Sequence, residues 1–468
     1  MKKIFLACLS LVLSCIMISA PAYAYAENST SKLYSKNEIA EDVKVLVDKL
    51  ERIHPNLYFS IDKEAFNKQI HETLNEIQEP ITETEFFKRF APIISKIEDG
   101  HTFLKLPNSF IKKVTSTKNL IPITVVVKNK KLYLNEILIK ALKNQYQGYE
   151  ITAINNKNSS KLYSEMIKYT FGKQSSFKET SVQRNFGILY HLDNDFKAFY
   201  EINLKDSTGN EFKITLQGKS FNYIKNLMTN TSNKKEYKLY EYKVLDNNIA
   251  LINFNSCSDF EGFKKFLDTS FQDMKEKGIN DLIIDLRKNG GGSSKLAQLL
   301  VEYIYAGNYK PASKVDIKIS KEILDYYNSN QYISKEEMLK FKNRLGQTYT
   351  FTSKATRSYT EKPVFHGNTY FLIGKNTFSS AVILSSMVKD YHIGYLIGEE
   401  TGGLATHYGD IYNFNLPNTN LLVGVSHKHF ARPNGLDTHR GVLPDYYEKD
   451  LNKDALYIAI DIIMSKRN

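Results

Sequence analysis

Apolar residues near the start of the chain recur at helical spacing. Ile39, Val43, Leu46, Val47 and Leu50 predict one amphipathic helix that stops before Pro55. Phe66, Ile70, Leu74 and Ile77 predict a second. Phe87, Phe90, Ile94 and Ile97 predict a third, introduced by a capping-box pair at Thr82 and Glu85. This helix runs out at Glu98-Asp99-Gly100-His101-Thr102, where Gly100 supplies the stop. From Leu120 to Gly218 the pattern changes to strands. Ile123 to Val127 and Leu132 to Leu134 predict a hairpin around Asn129-Lys130, and Glu201 to Leu204 with Phe212 to Leu216 predict another. Between them Gly148 to Asn156 reads as a strand and a turn, followed by a helix near Lys161 to Tyr169. The polar run Thr229 to Lys235 is a linker candidate.

Beyond that linker, strands and helices alternate. Ile249 to Phe254 predicts a strand, and Asp259 caps a helix carrying Phe263, Phe266, Leu267, Phe271 and Met274, ended by Gly278. Leu282-Ile283-Ile284 reads as a buried strand, and Leu296, Leu299, Leu300, Tyr303 and Ile304 fall at helical spacing. Residues 306–364, rich in Tyr and Lys, read as an insertion or lid. Tyr370 to Ile373 is a strand that turns at Gly374-Lys375-Asn376, and a helix follows from Ser380 to Asp390. Tyr395-Leu396-Ile397 then forms a buried strand closed by Gly398. Such alternation predicts an α/β core.

With 468 residues the chain is long enough for two or three domains, and 42% hydrophobic with 24% charged residues marks a globular protein. Residues 1–26 read as a cleaved signal peptide: Lys2-Lys3, an apolar run from Ile4 to Ile18, then small residues at Ala22-Tyr23-Ala24 or Ala24-Tyr25-Ala26. The apolar run is too short for a comfortable span, and no other stretch is apolar enough to cross a bilayer. Val12-Leu13-Ser14-Cys15 resembles a lipoprotein site, but apolar sequence continues past Cys15. The expected product is secreted, without a stable membrane span. Cys8 and Cys15 leave with the leader, so Cys257 remains alone, without a disulfide partner, and reads as a buried structural thiol. The net charge of +12 is spread evenly, with no basic helix or aromatic–basic ladder, which argues against a nucleic-acid partner.

Three stretches could carry chemistry. In Thr377-Phe378-Ser379-Ser380 a serine hydroxyl stands at a strand-to-helix junction, where free helix N–H groups can stabilise an oxyanion; taken alone it reads first as a simple N-cap. Asp285-Leu286-Arg287-Lys288-Asn289-Gly290-Gly291-Gly292 has the glycines of an anion nest, yet matches neither a Walker loop nor the dinucleotide spacing. A flexible turn is the alternative. Asp99-Gly100-His101-Thr102 offers a single imidazole. His427 and His429 fall on one strand face without an evident third ligand, so no metal site is expected.

In this order, DGHT, DLRKNGGG and TFSSA…GEETGG resemble the C-terminal processing peptidase and tricorn-core family of serine peptidases, specifically its tricorn-like, DGHT-containing branch. Arg440-Gly441-Val442-Leu443-Pro444-Asp445 resembles the closing motif of the family, and Gly148 to Asn156 resembles the turn of its PDZ-like domain. The resemblance implies a crotonase/ClpP-like ββα core at 241–468 with the insertion 306–364. It also implies a helical subdomain at 27–110, a PDZ-like β-rich domain at 118–218 and a linker at 219–240. The implied activity is serine endopeptidase, acting on a peptide or protein with Ser379 as nucleophile. An oxyanion hole is drawn from the Ser380 amide and the glycine nest, Gly291 or its neighbour Gly290. Leu404 stands where the processing branch has its lysine base, and His101 fits the place of the tricorn-like histidine. Thr438 stands where that branch has its orienting glutamate, leaving Asp437 and Glu399 as alternatives. Asp285 and Arg287 read as structural partners at the loop. Two rivals share this fold: a non-catalytic module binding an apolar ligand or peptide, as in interphotoreceptor retinoid-binding modules, and a secreted esterase.

Overall fold

The computed structural model describes residues 32–231, 237–330, 332–352, 365–448 and 453–467. The leader read from the sequence lies outside these residues. The chain divides into two compact units, one of residues 1–52, 56–236 and 411–425, the other of 53–55, 237–410 and 426–468.

The first unit opens with the three expected helices, Lys36–Ile53, Lys63–Asn75 and Glu83–Ile94. Their apolar stripes are buried: Ile39, Leu46, Leu50, Phe66, Phe86 and Phe90 have no exposed surface. Thr82 caps the third helix through the Glu85 amide at 3.2 Å. A 3₁₀ turn, Ser95–Ile97, then ends in Glu98 at φ 60°, which reverses the chain into the Asp99-Gly100-His101 loop. The short strand Phe103–Leu104 pairs antiparallel with Val423 and Gly424 of the returning segment. Buried Asp42 holds that segment by accepting from the amides of Asn418 (2.8 Å) and Thr419 (2.9 Å) and from Thr419 Oγ1 (2.6 Å).

An antiparallel sheet follows in the order Ile123–Lys128, Lys131–Ile137, Glu150–Ile154, Phe199–Lys205, Glu211–Gln217. Both expected hairpins are present. Between its third and fourth strands come Ser159–Ile167, near the expected helix, and two helices with no counterpart in the sequence reading, Ser175–Arg184 and Phe186–Asp193. The stretch read as a linker, 219–240, holds the helix Phe221–Thr231 and the first residue of a strand. Phe221, Ile224 and Met228 recur there at helical spacing, and this period prevails over the polar tract behind it.

The second unit is built on a sheet ordered Tyr240–Leu245, Ile249–Phe254, Asp281–Asp285, Asn368–Ile373, Tyr395–Gly398, Tyr446–Tyr447. All neighbours run parallel except the first pair. Alternate residues feed two cores. Ile252, Phe254, Leu282, Ile284, Phe371 and Leu396 pack with the helices Phe260–Glu276, Ser294–Ile304 and Ser380–Asp390. Ile249, Leu251, Ile283, Tyr370, Leu372 and Ile397 pack with the helix Ala455–Arg467. Burial on both faces explains why these strands read as unbroken apolar runs. The part of 306–364 that is described joins a second sheet: Lys314–Lys318 pairs with Thr348–Phe351 on one side and with residues 428–431 on the other.

Candidate active site

Ser379 occupies the junction between the strand Asn368–Ile373 and the helix Ser380–Asp390, as expected. Its backbone lies at φ 53° and ψ −124°, and its side chain makes no capping bond to the helix it precedes. The N-cap alternative therefore loses its physical basis. A non-glycine residue at positive φ stores roughly 1–3 kcal/mol and persists only where its surroundings over-determine it. Here they do. Thr377 Oγ1 donates to the Leu286 carbonyl at 2.9 Å and accepts from the Gly374 amide at 3.1 Å. The Phe378 amide donates to the Asn289 carbonyl at 3.0 Å. On the helix side, the Ser379 carbonyl accepts from Val382 (2.8 Å) and Ile383 (3.1 Å), and Ser380 Oγ donates to the Gly292 carbonyl at 2.6 Å.

These bonds press the glycine loop against the serine. Gly291 sits at φ +99°, and a Cβ added there would lie 2.6 Å from Ser379 Cβ, 2.9 Å from the Phe378 carbonyl and 3.0 Å from the Ser380 amide nitrogen. Only glycine allows that approach. The loop is anchored by Asn289, which is fully buried. Its Nδ2 donates to the Phe254 carbonyl at 2.9 Å, while its Oδ1 accepts from the Gly291 amide at 2.8 Å. The Gly291 amide, a candidate oxyanion donor in the sequence, is thus engaged inside the loop, whereas Gly290 and Gly292 are exposed. Cys257 backs the loop. Its amide donates to the Gly291 carbonyl at 3.0 Å, and burial pushes its thiol up to about 12, so it is an inert structural thiol. Asp285 and Arg287 are structural partners as well: the guanidinium grips Asp285 through Nε (3.0 Å) and Nη2 (2.7 Å) and reaches Asp454 at 2.9 Å.

His101 belongs to the first unit, where it is buried, 7% exposed. Its amide donates to Asp99 Oδ1 at 3.0 Å, and Thr102 Oγ1 donates to Asp99 Oδ2 at 2.6 Å. His101 Nδ1 lies 3.9 Å from Asp99 Oδ1. The sequence reading gave Asp99 no role; its signal was the Asp-x-His spacing on a turn tight enough to fold the carboxylate back on the following amides. The two acids considered instead have other partners within the second unit. Glu399 pairs with Lys375 at 3.0 Å, and Asp437 accepts from the His439 amide at 2.8 Å and lies 3.2 Å from His439 Nδ1. Leu404, in the place of a lysine base, bridges to Gly441. His427 and His429 are each drawn to a separate neighbour, Tyr327 Oη at 2.9 Å and Asp316 Oδ2 at 3.3 Å.

Residues 248–448, which carry the glycine loop and Ser379, match the family model described as Peptidase family S41. Over this region the chain is similar to peptidase family S41. No curated protein matches the chain. Among solved structures, that of mature CPAF is similar at 12% identity, covering 88% of this chain and 93% of that one with a TM-score of 0.61, so the fold is shared. The photosystem II D1 C-terminal processing protease matches at 13% identity over 88% of this chain and 92% of its own, with a TM-score of 0.45. The tricorn protease matches at 14% identity over 92% of this chain and 37% of its own, with a TM-score of 0.36. The S41 match begins after His101 and so does not include it.

Proposed function

We propose that this chain is a secreted serine endopeptidase of the S41 type, released by cleavage of the leader 1–26, in which Ser379 attacks the peptide carbonyl. The observation that carries the reading is the strained, non-capping Ser379 held against Gly291. A serine that does not cap its helix yet is held at a costly positive φ has the backbone setting of a nucleophile at a strand-to-helix turn. In this reading His101 takes the serine proton and returns it to the leaving amine, with Asp99 steadying the loop that carries it. The oxyanion is held by the Ser380 amide and a glycine amide of 290–292, with Gly290 and Gly292 favoured because Asn289 engages Gly291. The second unit then corresponds to a crotonase-like core. The antiparallel sheet of residues 123–217 corresponds to a PDZ-like domain that takes an extended peptide by strand addition. No cofactor enters the mechanism.

The test is a peptide library incubated with the purified protein, products being read by mass spectrometry. Ser379→Ala is expected to abolish cleavage with the fold intact, and His101→Ala to reduce it by orders of magnitude. Undiminished turnover in Ser379→Ala would move the nucleophile elsewhere. Comparing ester with amide turnover separates an esterase, and uptake of apolar ligands without any cleavage would favour the binding module.

A further inference from the structure

A cavity of about 360 Å³ in the first unit has no part in the chemistry described above. Its walls include Ser60, Gln69, Lys96, Glu98 and Lys178. Three features make it rich in donors. Lys178, on the helix Ser175–Arg184, has no ion-pair partner among the described residues, and burial holds its ammonium below the usual lysine range, with Glu98 opposing that shift. Ser60 Oγ is shielded from solvent and meets no hydrogen-bond partner among the described residues. Lys96 Nζ donates to Gln69 Oε1 at 2.5 Å, so what Gln69 can offer a ligand is its amide NH₂. Against these stands one carboxylate, Glu98, which Lys173 already approaches at 4.0 Å.

A half-buried ammonium and a buried hydroxyl, each without a partner, are unfavourable until something supplies acceptors. We infer that this cavity is a binding site for a compact oxyanion, a carboxylate or phosphate group, with Lys178 Nζ and Ser60 Oγ as its principal donors. Lys96 adds charge, and the Gln69 amide adds a directional donor. The site borders the loop that carries His101. Glu98 is the left-handed cap of the turn Ser95–Ile97, and Asp99, the next residue, accepts from the His101 amide. An anion drawn to Lys178 takes up charge that otherwise acts on Glu98, so occupancy is felt at the start of that loop.

The binding itself does not depend on the peptidase reading. The test is calorimetric titration of the full chain with inorganic phosphate and with succinate at constant ionic strength, against sodium chloride as the blank. At least one is expected to bind saturably, and the tighter of the two tells a phosphate from a carboxylate ligand. Lys178→Met is expected to weaken binding by roughly tenfold or more and Ser60→Ala severalfold, as befits lost hydrogen bonds to a charged group, whereas Lys178→Arg retains it. If neither anion exceeds chloride, or if Lys178→Met binds as tightly as the parent, the cavity holds water only and the assignment is overturned. Should Lys178→Met fail to fold, Ser60→Ala decides the matter, because undiminished binding in that variant overturns it equally.

Discussion

Replacing Gly291 by alanine adds one methyl group where the glycine loop meets Ser379. The new Cβ would stand 2.6 Å from Ser379 Cβ and 2.9 Å from the Phe378 carbonyl, neither of which is the end of a flexible side chain. The backbone at φ +99° adds a second penalty. A left-handed conformation costs an L-residue about 1–2 kcal/mol, and a methyl forced into a packed site costs about 1–3 kcal/mol, for a total of about 2–5 kcal/mol. Against the roughly 5–15 kcal/mol that stabilises a typical domain, the fold survives. The loop yields instead, moving the glycine amides away from Ser379. A displacement of about 1 Å at a reacting centre can cost about a hundredfold in rate.

The assay is kcat and KM on the peptide substrate, together with the guanidinium midpoint. The expected result is a kcat lower by about two orders of magnitude, with KM little changed. Gly278→Ala is the control. Gly278 also has positive φ, +63°, but a Cβ there meets nothing within 4 Å. It is expected to lose about 1–2 kcal/mol of stability and no kcat. If Gly291→Ala keeps the parent kcat, or if the control loses as much, the close approach to Ser379 has no catalytic meaning.

Four further outcomes follow from the same contacts. Asp99→Ala removes the acceptor for the His101 amide and for Thr102 Oγ1; a stability loss of about 1–3 kcal/mol and a drop in kcat are expected, and a variant with parent kcat would separate Asp99 from the His101 loop. Asp390, at the end of the helix behind Ser379, is the acceptor for Arg432, whose side chain is only 10% exposed, and for Asn434, and Asp390→Ala removes it. That should cost about 3–5 kcal/mol by chemical denaturation, and a loss below 1 kcal/mol would make the pair incidental. His191, stacked on Phe196 and accepting from the Ile121 amide, is pushed down to about 4 by burial. Its contribution is complete above the unfolded value near 6.5 and is lost as pH falls toward about 4, at about 1.4 kcal/mol per pH unit; a urea midpoint in His191→Gln just as steep in pH would contradict this. Cys257, a thiol raised to about 12, is protonated at pH 8, so iodoacetamide should label the unfolded chain and spare the native one.

Local pattern reveals an element only when one of its faces differs from the other. The helix Ser175–Arg184 buries Phe177 and Val182, too sparse a stripe to show a period, whereas Phe186–Asp193 buries Phe186, Leu189, Tyr190, His191 and Leu192, nearly every side. Both escaped the sequence reading, for opposite reasons. The strand His407–Asn415 escaped it as well, because tyrosine, aspartate and asparagine interrupt its apolar alternation, and of Leu422–Ala431 only the stretch at His427 and His429 was read as a strand. The site divides along a similar line. That a serine precedes a helix is visible in the chain, and so is a run of glycines after a strand. Neither observation says whether the hydroxyl caps the helix. That is decided by Thr377, whose hydroxyl reaches the Leu286 carbonyl 91 positions away and fixes the turn in which Ser379 takes positive φ. Nor does the glycine run say which atoms matter. Gly291 is read from sequence as an amide donor, yet Asn289 engages its N–H, and its missing side chain is what lets the loop close on Ser379. A glycine at such a place is required for the space it leaves, and only the partner brought against it by the fold says what that space is for.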